Sequence, residues 1–491
     1  MTSPNKETKN ENNWFAEKLN MNKLKFYHGV ITKEDVQLLM KEAAIGDYLL
    51  RSAFSKEHVV LFVFLCVKVD ENEVDEYYLL SKDEKVVVKQ EKVDKETNLK
   101  IFEKSPPFND YEEMIKYYRV HKLACGLRLN RSVARPKWQL RHSDLQYNDT
   151  GKLGAGNFCI VYQGKLKRSN GKEEDVAIKV SKCDKQDDSL LIMATRNALF
   201  AEAKIMTAYN HTNVIKLFGI CCDNPPFLVC MEFCVGGSLE SHLYKHGKEM
   251  EEFERQTILI DACQGMKYLS GKKCVHRDLA ARNCLISSDG IIKIADFGLS
   301  KKLSSDETAF KEALKEAPLT WLAPECLQKE SEFSTKSDVW AFGVLIYEVY
   351  FDGQKPFANE KDTGALIRAI RKANMPLLEK RTTIPKMDDM LTSIWKRKPE
   401  DRIDFQKVLE FLVGALIPAN SANLKRMQLN KLAGVTRESM PNTELVMKET
   451  CQELVVKESS SRVFAKSKKL ARRPSLKMAS QRGKSKSRTK L

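Results

Sequence analysis

The chain has 491 residues, of which 42% are hydrophobic and 30% are charged. This composition excludes a wholly disordered, collagen-like or low-complexity protein, and the length suffices for roughly two to four domains. The formal net charge is +16, but residues 459–491 hold 12 Lys or Arg and no acidic residue, which leaves only +4 for the rest. The sequence therefore predicts a nearly neutral globular body with a basic tail.

Residues 1–23 are polar and predict a short leader, after which residues 24–130 alternate between element types. Thr32, with Asp35 three positions on, resembles a capping box, and the apolar residues behind it have helical spacing. A second helix is expected to begin near Asp110. Between the helices lie three strand-like runs, at residues 47–52, 58–67 and 74–80. Helix, antiparallel strands and helix in about 100 residues indicate an α+β module.

A basic linker over residues 131–147 leads into residues 148–414. Residues 148–260 are strand-rich around one helix, and residues 261–416 are mostly helical. A β-rich lobe followed by an α-helical lobe predicts a site in the cleft between them. The polar, Ser/Lys-rich residues 415–491 predict a largely disordered tail.

The 13 cysteines lie singly apart from one adjacent pair, and no CxxC motif occurs. This pattern argues against a zinc site and predicts reduced thiols in a cytoplasmic protein. The start of the chain shows no apolar signal core, and Thr2 excludes N-myristoylation. The longest apolar run, residues 59–67, is too short to cross a bilayer and predicts a buried strand.

Gly154 and Gly156 lie between two strand-like runs, where glycines would let a hairpin lie flat on phosphates. A glycine pair alone more often marks an ordinary turn, and Cys159 replaces the third glycine of a GxGxxG string. The string VAIK then ends in Lys179. If its strand is buried, this lysine needs an anionic partner; seen alone, it could equally be a surface lysine whose charged end reaches solvent. Glu202, in the next helical stretch, is the natural ion-pair partner.

The string HRDLAARN at residues 276–283 places Asp278 and Asn283 on one loop. Asp278 would accept the proton of a substrate hydroxyl, and Asn283 would bind a metal ion. The string DFG follows with Asp296, whose carboxylate suits a Mg²⁺ ion that bridges nucleotide phosphates. The two strings in this order, behind a glycine loop and VAIK, indicate phosphoryl transfer.

With these motifs, residues 148–414 resemble a bilobal eukaryotic protein kinase domain. The string APE ending in Glu325, the string DVWAFG beginning with Asp338, and Arg402 resemble structural motifs of that family. The resemblance implies an Arg402–Glu325 pair, ATP as phosphoryl donor and Mg²⁺, with Mn²⁺ as an alternative. The family's cleft residues map onto a catalytic set of Asp278, Arg282 and Asn283, metal ligands Asn283 and Asp296, and a nucleotide-binding set of Leu153, Gly154, Gly156, Val161, Ala177, Lys179, Glu202, Glu232, Cys234 and Leu285.

Two segments resemble tyrosine kinases rather than serine/threonine kinases. Serine/threonine kinases usually carry Lys where this chain has Ala280, whereas Arg282 fits the tyrosine-kinase string HRDLAARN. The string PLTW at residues 318–321 resembles the shelf on which tyrosine kinases rest a phenol ring. The resemblance therefore implies protein tyrosine as the acceptor.

Residues 24–130 resemble an SH2 domain, a sheet flanked by two helices, through the strings FYHG and GDYLLR. Arg51, at the end of the second string, would bind phosphotyrosine with a bidentate fork, and Lys33 matches a second phosphate-binding position. Ala53 replaces a serine that contacts phosphate, and Tyr77 stands where many members carry a ring-facing histidine. Phosphotyrosine proteins are therefore the expected partners, with altered affinity.

An SH2 domain followed by a kinase domain, joined through the string KWQL, most resembles the Fer/Fes non-receptor tyrosine kinases, in a short form of the kind numerous in nematodes. The expected function is transfer of the ATP γ-phosphate to protein tyrosine, with SH2-mediated targeting. A pseudokinase adaptor is the first alternative, and the retained cleft residues argue against it. The second is a nucleic-acid binder, which the tail disfavours because it has almost no interleaved aromatic residues.

Two questions stay open at this stage. The segment from Asp296 to Glu325 contains no tyrosine, and Phe310 stands at the usual autophosphorylation position. The loop is either constitutively ordered or held by charge from Ser304, Ser305 or Thr308 after phosphorylation, or from Glu307 or Glu312. Residues 459–491 either recruit the chain to anionic lipid at the inner face of the plasma membrane or form a solvated or nuclear-import-like tail.

Overall fold

The computed structural model describes residues 21–54, 61–82, 85–93, 100–156, 159–183, 189–313, 318–416 and 421–440. The described residues up to Glu438 belong to one compact unit. Within the described ranges, each helix is too short or too polar to pass through a bilayer.

Residues 24–130, called the N-terminal module below, fold as one sheet with two helices. The described strands follow chain order across the sheet: β1 (Tyr27–Val30), β2 (Tyr48–Phe54), β3 (Leu61–Lys68), β4 (Val74–Lys82), β5 (Lys85–Val93) and β6 (Lys100–Lys104). β1 runs parallel to β2, and the later neighbours are antiparallel. The helices are α1 (Lys33–Leu39) and α2 (Tyr111–Val120). The predicted elements are present, and β1, β5 and β6 add to them.

Both helices of the module begin at the predicted caps. The Thr32 hydroxyl accepts a hydrogen bond from the Asp35 N–H at 3.2 Å, and the Asp35 carboxylate accepts one from the Thr32 N–H at 3.0 Å. The Asp110 carboxylate accepts from the Glu113 N–H at 2.7 Å. These bonds satisfy N–H groups that a helix start leaves unpaired. The buried face of α2 is the predicted one: Tyr111, Met114, Ile115 and Tyr118.

A second sheet forms the β-rich lobe. Its described strands have the spatial order β7-β11-β12-β10-β9-β8, with bounds β7 (Gln139–Leu140), β8 (Leu145–Ala155), β9 (Cys159–Lys167), β10 (Glu173–Ser181), β11 (Leu217–Cys221) and β12 (Leu228–Glu232). The helix α3 (Ser189–Thr207) packs against β11. The lobe ends at Glu232 rather than at residue 260, because Ser238 caps a new helix through the Ser241 N–H at 3.2 Å. The expected linker is also part of this sheet, since β7 pairs in parallel with β11.

The helical lobe is built around one long buried helix. Its helices are α4 (Leu239–His246), α5 (Glu252–Gly271), α6 (Thr335–Tyr350), α7 (Thr363–Arg371), α8 (Met387–Ile394) and α9 (Phe405–Gly414). Three short antiparallel pairs complete it: β13 (Cys274–Val275) with β16 (Lys301–Lys302), β14 (Cys284–Ile286) with β15 (Ile292–Ile294), and β17 (Ala309–Lys311) with β18 (Glu332–Ser334). The pair β14–β15 and the loop before it carry most of the predicted catalytic residues.

The expectation of disorder from residue 415 is wrong for residues 421–438. They contain α10 (Ser421–Arg426) and a 3₁₀ turn (Gln428–Lys431). Glu254 of α5 accepts hydrogen bonds from the N–H groups of Gln428 and Leu429, both at 3.0 Å. Arg437 forms a buried pair with Asp261, with its Nη1 2.6 Å from Oδ2. Buried acidic residues of α5 thus hold this segment, and residues 441–491 lie outside the described ranges.

The N-terminal module packs directly on α3. Arg196 of α3 donates from Nε to the Val30 carbonyl at 3.0 Å, and its Nη2 pairs with the Asp35 carboxylate. Arg196 is 2% exposed, so the contact is buried. One apolar cluster joins the two parts through Ile31, Val36, Met40, Leu49, Ile192, Leu199 and Phe200. The position of α3 therefore depends on the module as well as on the β-rich lobe.

Candidate active site

Lys179 lies at the centre of the cleft side of the β-rich sheet. β10 places it opposite Val161 of β9. Its Nζ donates to both carboxylate oxygens of Glu202 at 2.8 Å and lies 3.6 Å from Oδ1 of Asp296. Burial alone would lower the pKa of Lys179, but the charges of Glu202 and Asp296 outweigh it and raise the pKa above the usual lysine range. The predicted ion pair is present, and it holds a cation in the cleft.

The glycine loop has open space over its backbone. A Cβ added to Gly154 would meet no atom within 4 Å, and one added to Gly156 would meet only the Cys159 carbonyl oxygen at 3.9 Å. The fold itself therefore does not require glycine here, which fits a loop that a ligand approaches closely. Cys159 is 7% exposed, and burial raises the pKa of its thiol, so this side chain is an inert part of the core.

The predicted walls of the cleft lie on strands of both lobes. Leu153 is on β8 and is 50% exposed, Ala177 of β10 pairs with Met231 of β12, and Leu285 lies on β14. Glu232, at the end of β12, binds Lys293 through its carboxylate at 3.0 Å. The carbonyl of Cys234 accepts a hydrogen bond from the Gly237 N–H at 3.0 Å and so closes the turn after β12.

Asp278 is held between two side chains of its own loop. The Asn283 amide donates to Oδ2 of Asp278 at 2.8 Å, and the Arg282 guanidinium pairs with Oδ1. Burial raises the pKa of Asp278, and the neighbouring Arg282 and Asn283 offset this only in part. A carboxylate with a raised pKa is a better proton acceptor than an exposed aspartate. The Arg282 guanidinium also lies 4.7 Å from the ring centroid of Trp321, beside Asp278.

Two buried acidic residues of α6 shape this loop. Asp338 accepts hydrogen bonds from the N–H groups of His276 and Arg277 at 2.7 and 2.9 Å. Arg277 has a φ of 70°, a left-handed conformation that costs about 1–3 kcal/mol in a non-glycine residue and needs such support. Glu348 accepts from the Ala281 N–H at 3.0 Å and from Trp321 Nε1 at 3.2 Å. Sequence reasoning missed Glu348, although an acidic residue in an otherwise apolar helix is a signal for it.

The comparisons with known proteins agree with this geometry. The family described as "Protein tyrosine and serine/threonine kinase" matches residues 148–412, more than half of the chain. Fer-related kinase 1 of Caenorhabditis elegans is 31% identical over 390 residues, which cover 77% of this chain and 90% of that protein. The chain belongs to the protein kinase family and is a Fer/Fes-type non-receptor tyrosine kinase.

Two further relatives are also named as tyrosine-protein kinases. Tyrosine-protein kinase Fer of Rattus norvegicus is 31% identical over 387 residues, which cover 77% of this chain and 42% of that protein. The transforming protein Fps of an avian sarcoma virus is 32% identical over 337 residues, which cover 68% of this chain and 57% of that protein. The kinase therefore spans about half the length of these two relatives.

The predicted metal ligands of the kinase fit a magnesium ion. The Asn283 amide nitrogen is directed to Asp278, which leaves its oxygen as the donor. Burial disfavours the charged form of Asp296, but Lys179 outweighs this and holds the pKa of Asp296 below its usual range. No cluster of three His, Cys, Asp or Glu able to hold a metal occurs among the described residues. Two hard oxygen ligands suit Mg²⁺, which takes its other ligands from phosphates and water.

The lower part of the helical lobe has the expected salt bridge. Arg402 donates from Nη1 and Nη2 to the two oxygens of Glu325 at 2.6 and 2.7 Å, and both side chains are buried. This bidentate pair fixes the end of the activation segment to the loop before α9.

Aromatic, cationic and acidic side chains meet in the activation segment, the stretch from Asp296 to Glu325, of which the structure describes residues 296–313 and 318–325. Phe310 of β17 stacks on Phe333 of β18, with ring centroids 5.7 Å apart. The Arg277 guanidinium lies 4.3 Å from the Phe333 centroid, and Lys301 Nζ lies 4.1 Å from that of Phe310. Arg277 also pairs with Glu312 at 3.3 Å. Glu312, one of the two predicted charge-supplying glutamates, thus contacts Arg277, and the choice between the alternatives stays a prediction.

The predicted phosphate ligands of the N-terminal module lie together around a third residue. Arg51 Nε is 2.7 Å from Oε1 of Glu76, and Lys33 Nζ is 2.9 Å from Oε2. The expectation that Tyr77 faces this site is wrong, because alternate residues of a strand point to opposite faces. Tyr77 lies in the core of the module, where its hydroxyl accepts from the Cys125 N–H at 3.2 Å, while Glu76 faces Arg51.

Proposed function

We propose that the kinase transfers the γ-phosphate of ATP to tyrosine side chains of proteins, with Asp278 as the acceptor of the hydroxyl proton. The ion pair of Lys179 with Glu202, 3.6 Å from Asp296, is the observation that carries this proposal. It places one buried cation against one metal-binding carboxylate, the arrangement that phosphoryl transfer needs to neutralise developing charge. A Mg²⁺ ion bound by Asn283 and Asp296, or Mn²⁺ in its place, would supply further positive charge.

The aromatic surface beside Asp278 supports tyrosine as the acceptor. Arg282 and Trp321 form a cation–π pair there, and Arg282 also pairs with Asp278. A phenol ring can pack against this pair while its hydroxyl reaches Asp278.

We also propose that the N-terminal module targets the kinase to its partners. Residues 24–130 act as an SH2 domain that binds phosphotyrosine proteins through Arg51 and Lys33. The buried guanidinium with an adjacent lysine supports this, because such a pair suits a dianionic ligand. In the cytoplasm, residues 459–491 hold the kinase at the inner face of the plasma membrane, since basic residues contribute about 1 kcal/mol each near anionic lipid.

The experiment compares the full chain with two variants, Lys179→Met and Asp278→Asn. Each should lose transfer to a tyrosine peptide, whereas the same peptide with serine should stay unmodified by wild type. Lys165→Met is the matched control, because Lys165 is half exposed and, among the described residues, pairs with Asp175 at 2.8 Å on the surface of the β-rich lobe. A wild-type protein without any transfer would support the adaptor alternative instead. Sedimentation with anionic vesicles, with and without residues 459–491, tests the membrane arm separately.

A further inference from the structure

The predicted phosphate-binding site of the N-terminal module contains a carboxylate of the chain itself. Glu76 bridges Arg51 and Lys33, so one internal anion pairs with both cations. The side chains of Arg51 and Glu76 are only 4% and 12% exposed, whereas that of Lys33 is 71% exposed. The inner part of this pair is therefore shielded from water, and a surface ion pair is not an adequate description of it.

Two further groups contact Arg51 in addition to Glu76. Its Nη1 donates to the Ile31 carbonyl at 3.0 Å, and its guanidinium carbon lies 4.6 Å from the ring centroid of Phe64. Burial works against ionisation of Glu76, but Arg51 outweighs it and keeps the pKa of Glu76 below its usual range. The carboxylate is thus charged at neutral pH, and two donor atoms of Arg51, Nε and Nη1, are used within the chain.

Strand register puts Glu76 in this position. β2 pairs with β3 so that Arg51 lies opposite Phe64, and β3 pairs with β4 so that Cys66 lies opposite Glu76. Glu76 is therefore two strands away from Arg51 on the same face of the sheet. A glutamate side chain is long enough to cross β3 at this distance, as the 2.7 Å contact to Arg51 Nε demonstrates.

We propose that Glu76 is an internal competitor for phosphotyrosine: its carboxylate has to leave Arg51 and Lys33 before a phosphate group can bind both. This inference rests on the proposed phosphotyrosine binding through Arg51. A phosphotyrosine carries a charge of about −1.5 to −2 at pH 7, so the Glu76 carboxylate repels it while Glu76 is paired with Arg51 and Lys33. Phosphotyrosine is bound only by the fraction of molecules in which this pairing is broken. The wild-type module therefore binds more weakly than its two cations would allow.

Glu76→Gln is the decisive variant, because it keeps the size of the side chain and removes its charge. Glu73→Gln is the matched control, since it makes the same change of net charge at an exposed residue in the connection between β3 and β4. The full chain, treated with phosphatase and kept free of ATP, is titrated with phenyl phosphate and with a pool of degenerate phosphotyrosine peptides in a calorimeter. Glu76→Ala serves as a second variant, and thermal unfolding of each protein verifies the fold.

We expect Glu76→Gln to bind both probes at least about tenfold more tightly than wild type, and Glu73→Gln to stay within twofold of wild type. If wild type and both Glu76 variants bind equally and Arg51→Lys abolishes binding, the competitor role is refuted while phosphotyrosine targeting stands. If neither wild type nor the Glu76 variants bind either probe, phosphotyrosine targeting itself fails and the inference fails with it.

Discussion

Replacing Phe310 with leucine would remove the aromatic ring that faces two cations in the activation segment while keeping an apolar side chain there. Lys301 Nζ lies 4.1 Å and the Arg277 guanidinium 5.4 Å from the ring centroid of Phe310, which is 7% exposed. Each such contact contributes about 0.5–1 kcal/mol at exposed sites and about 2 kcal/mol when desolvated. The loss of both is therefore roughly 1–3 kcal/mol of ordering free energy, which is about a 5- to 150-fold change in the ordering equilibrium.

The assay measures initial rates of tyrosine-peptide phosphorylation by phosphatase-treated enzyme, together with hydrogen exchange of residues 297–313. Phe310→Leu should lower kcat/KM and increase exchange, because a less ordered segment leaves Arg277 without its contacts. Lys311→Met is the control, since the partner of Lys311 in the described part of the chain is the exposed Glu330, at 2.9 Å. A Phe310→Leu enzyme with unchanged rate and exchange, or a wild-type enzyme that phosphatase inactivates, would refute the reasoning.

Three further predictions concern the supports of the site. Asp338→Asn should lower kcat by at least about tenfold, because the carboxylate uses two oxygens to hold the N–H groups of His276 and Arg277 and an amide has only one. Thermal stability should change little relative to a buried core mutant. Steady-state kinetics measures the loss of rate. Arg196→Met should lower kcat/KM several-fold, since it frees the helix that carries Glu202 from the N-terminal module; a Lys204→Met enzyme should keep its rate. His242 is buried without a hydrogen-bond partner for either ring nitrogen in the described part of the chain, and burial lowers its pKa to about 4. The unfolded chain binds this proton near pH 6.5, so wild-type stability falls as pH drops from about 7 to 4, and His242→Leu should gain about 1 kcal/mol more at pH 5.5 than at pH 7.5 in urea unfolding.

Much of the catalytic site could be predicted because its residues lie in short continuous strings. The loop that contains Asp278 and Asn283 brings both side chains together within five residues, so their contact is a local property of the backbone. Lys179 and Glu202 are further apart in sequence, but a lysine that ends a buried strand has to find an acidic partner. Local spacing and the cost of an unpaired buried charge were sufficient for these residues.

Other features could not be predicted because they depend on which strands and helices meet. Glu76 and Tyr77 are adjacent in sequence, and only the register of β4 against β3 decides which of them faces Arg51. Residues 421–438 contain apolar residues that can be buried, such as Met427, Leu429 and Val435, but only the structure shows what they pack against. Buried acidic groups of α5, such as Asp261, need a partner and find one in this segment.

The sequence by itself thus determined the chemistry of this kinase, the order of its parts and the location of the excess positive charge, since motifs, periodicity and charge are read along the chain. Only the tertiary structure decided how the parts control one another. It placed Arg196 of α3 against the N-terminal module, and it gave Arg277 an aromatic ring and a carboxylate as partners. These contacts join residues far apart in sequence, and their energies exist only after both partners have been buried together.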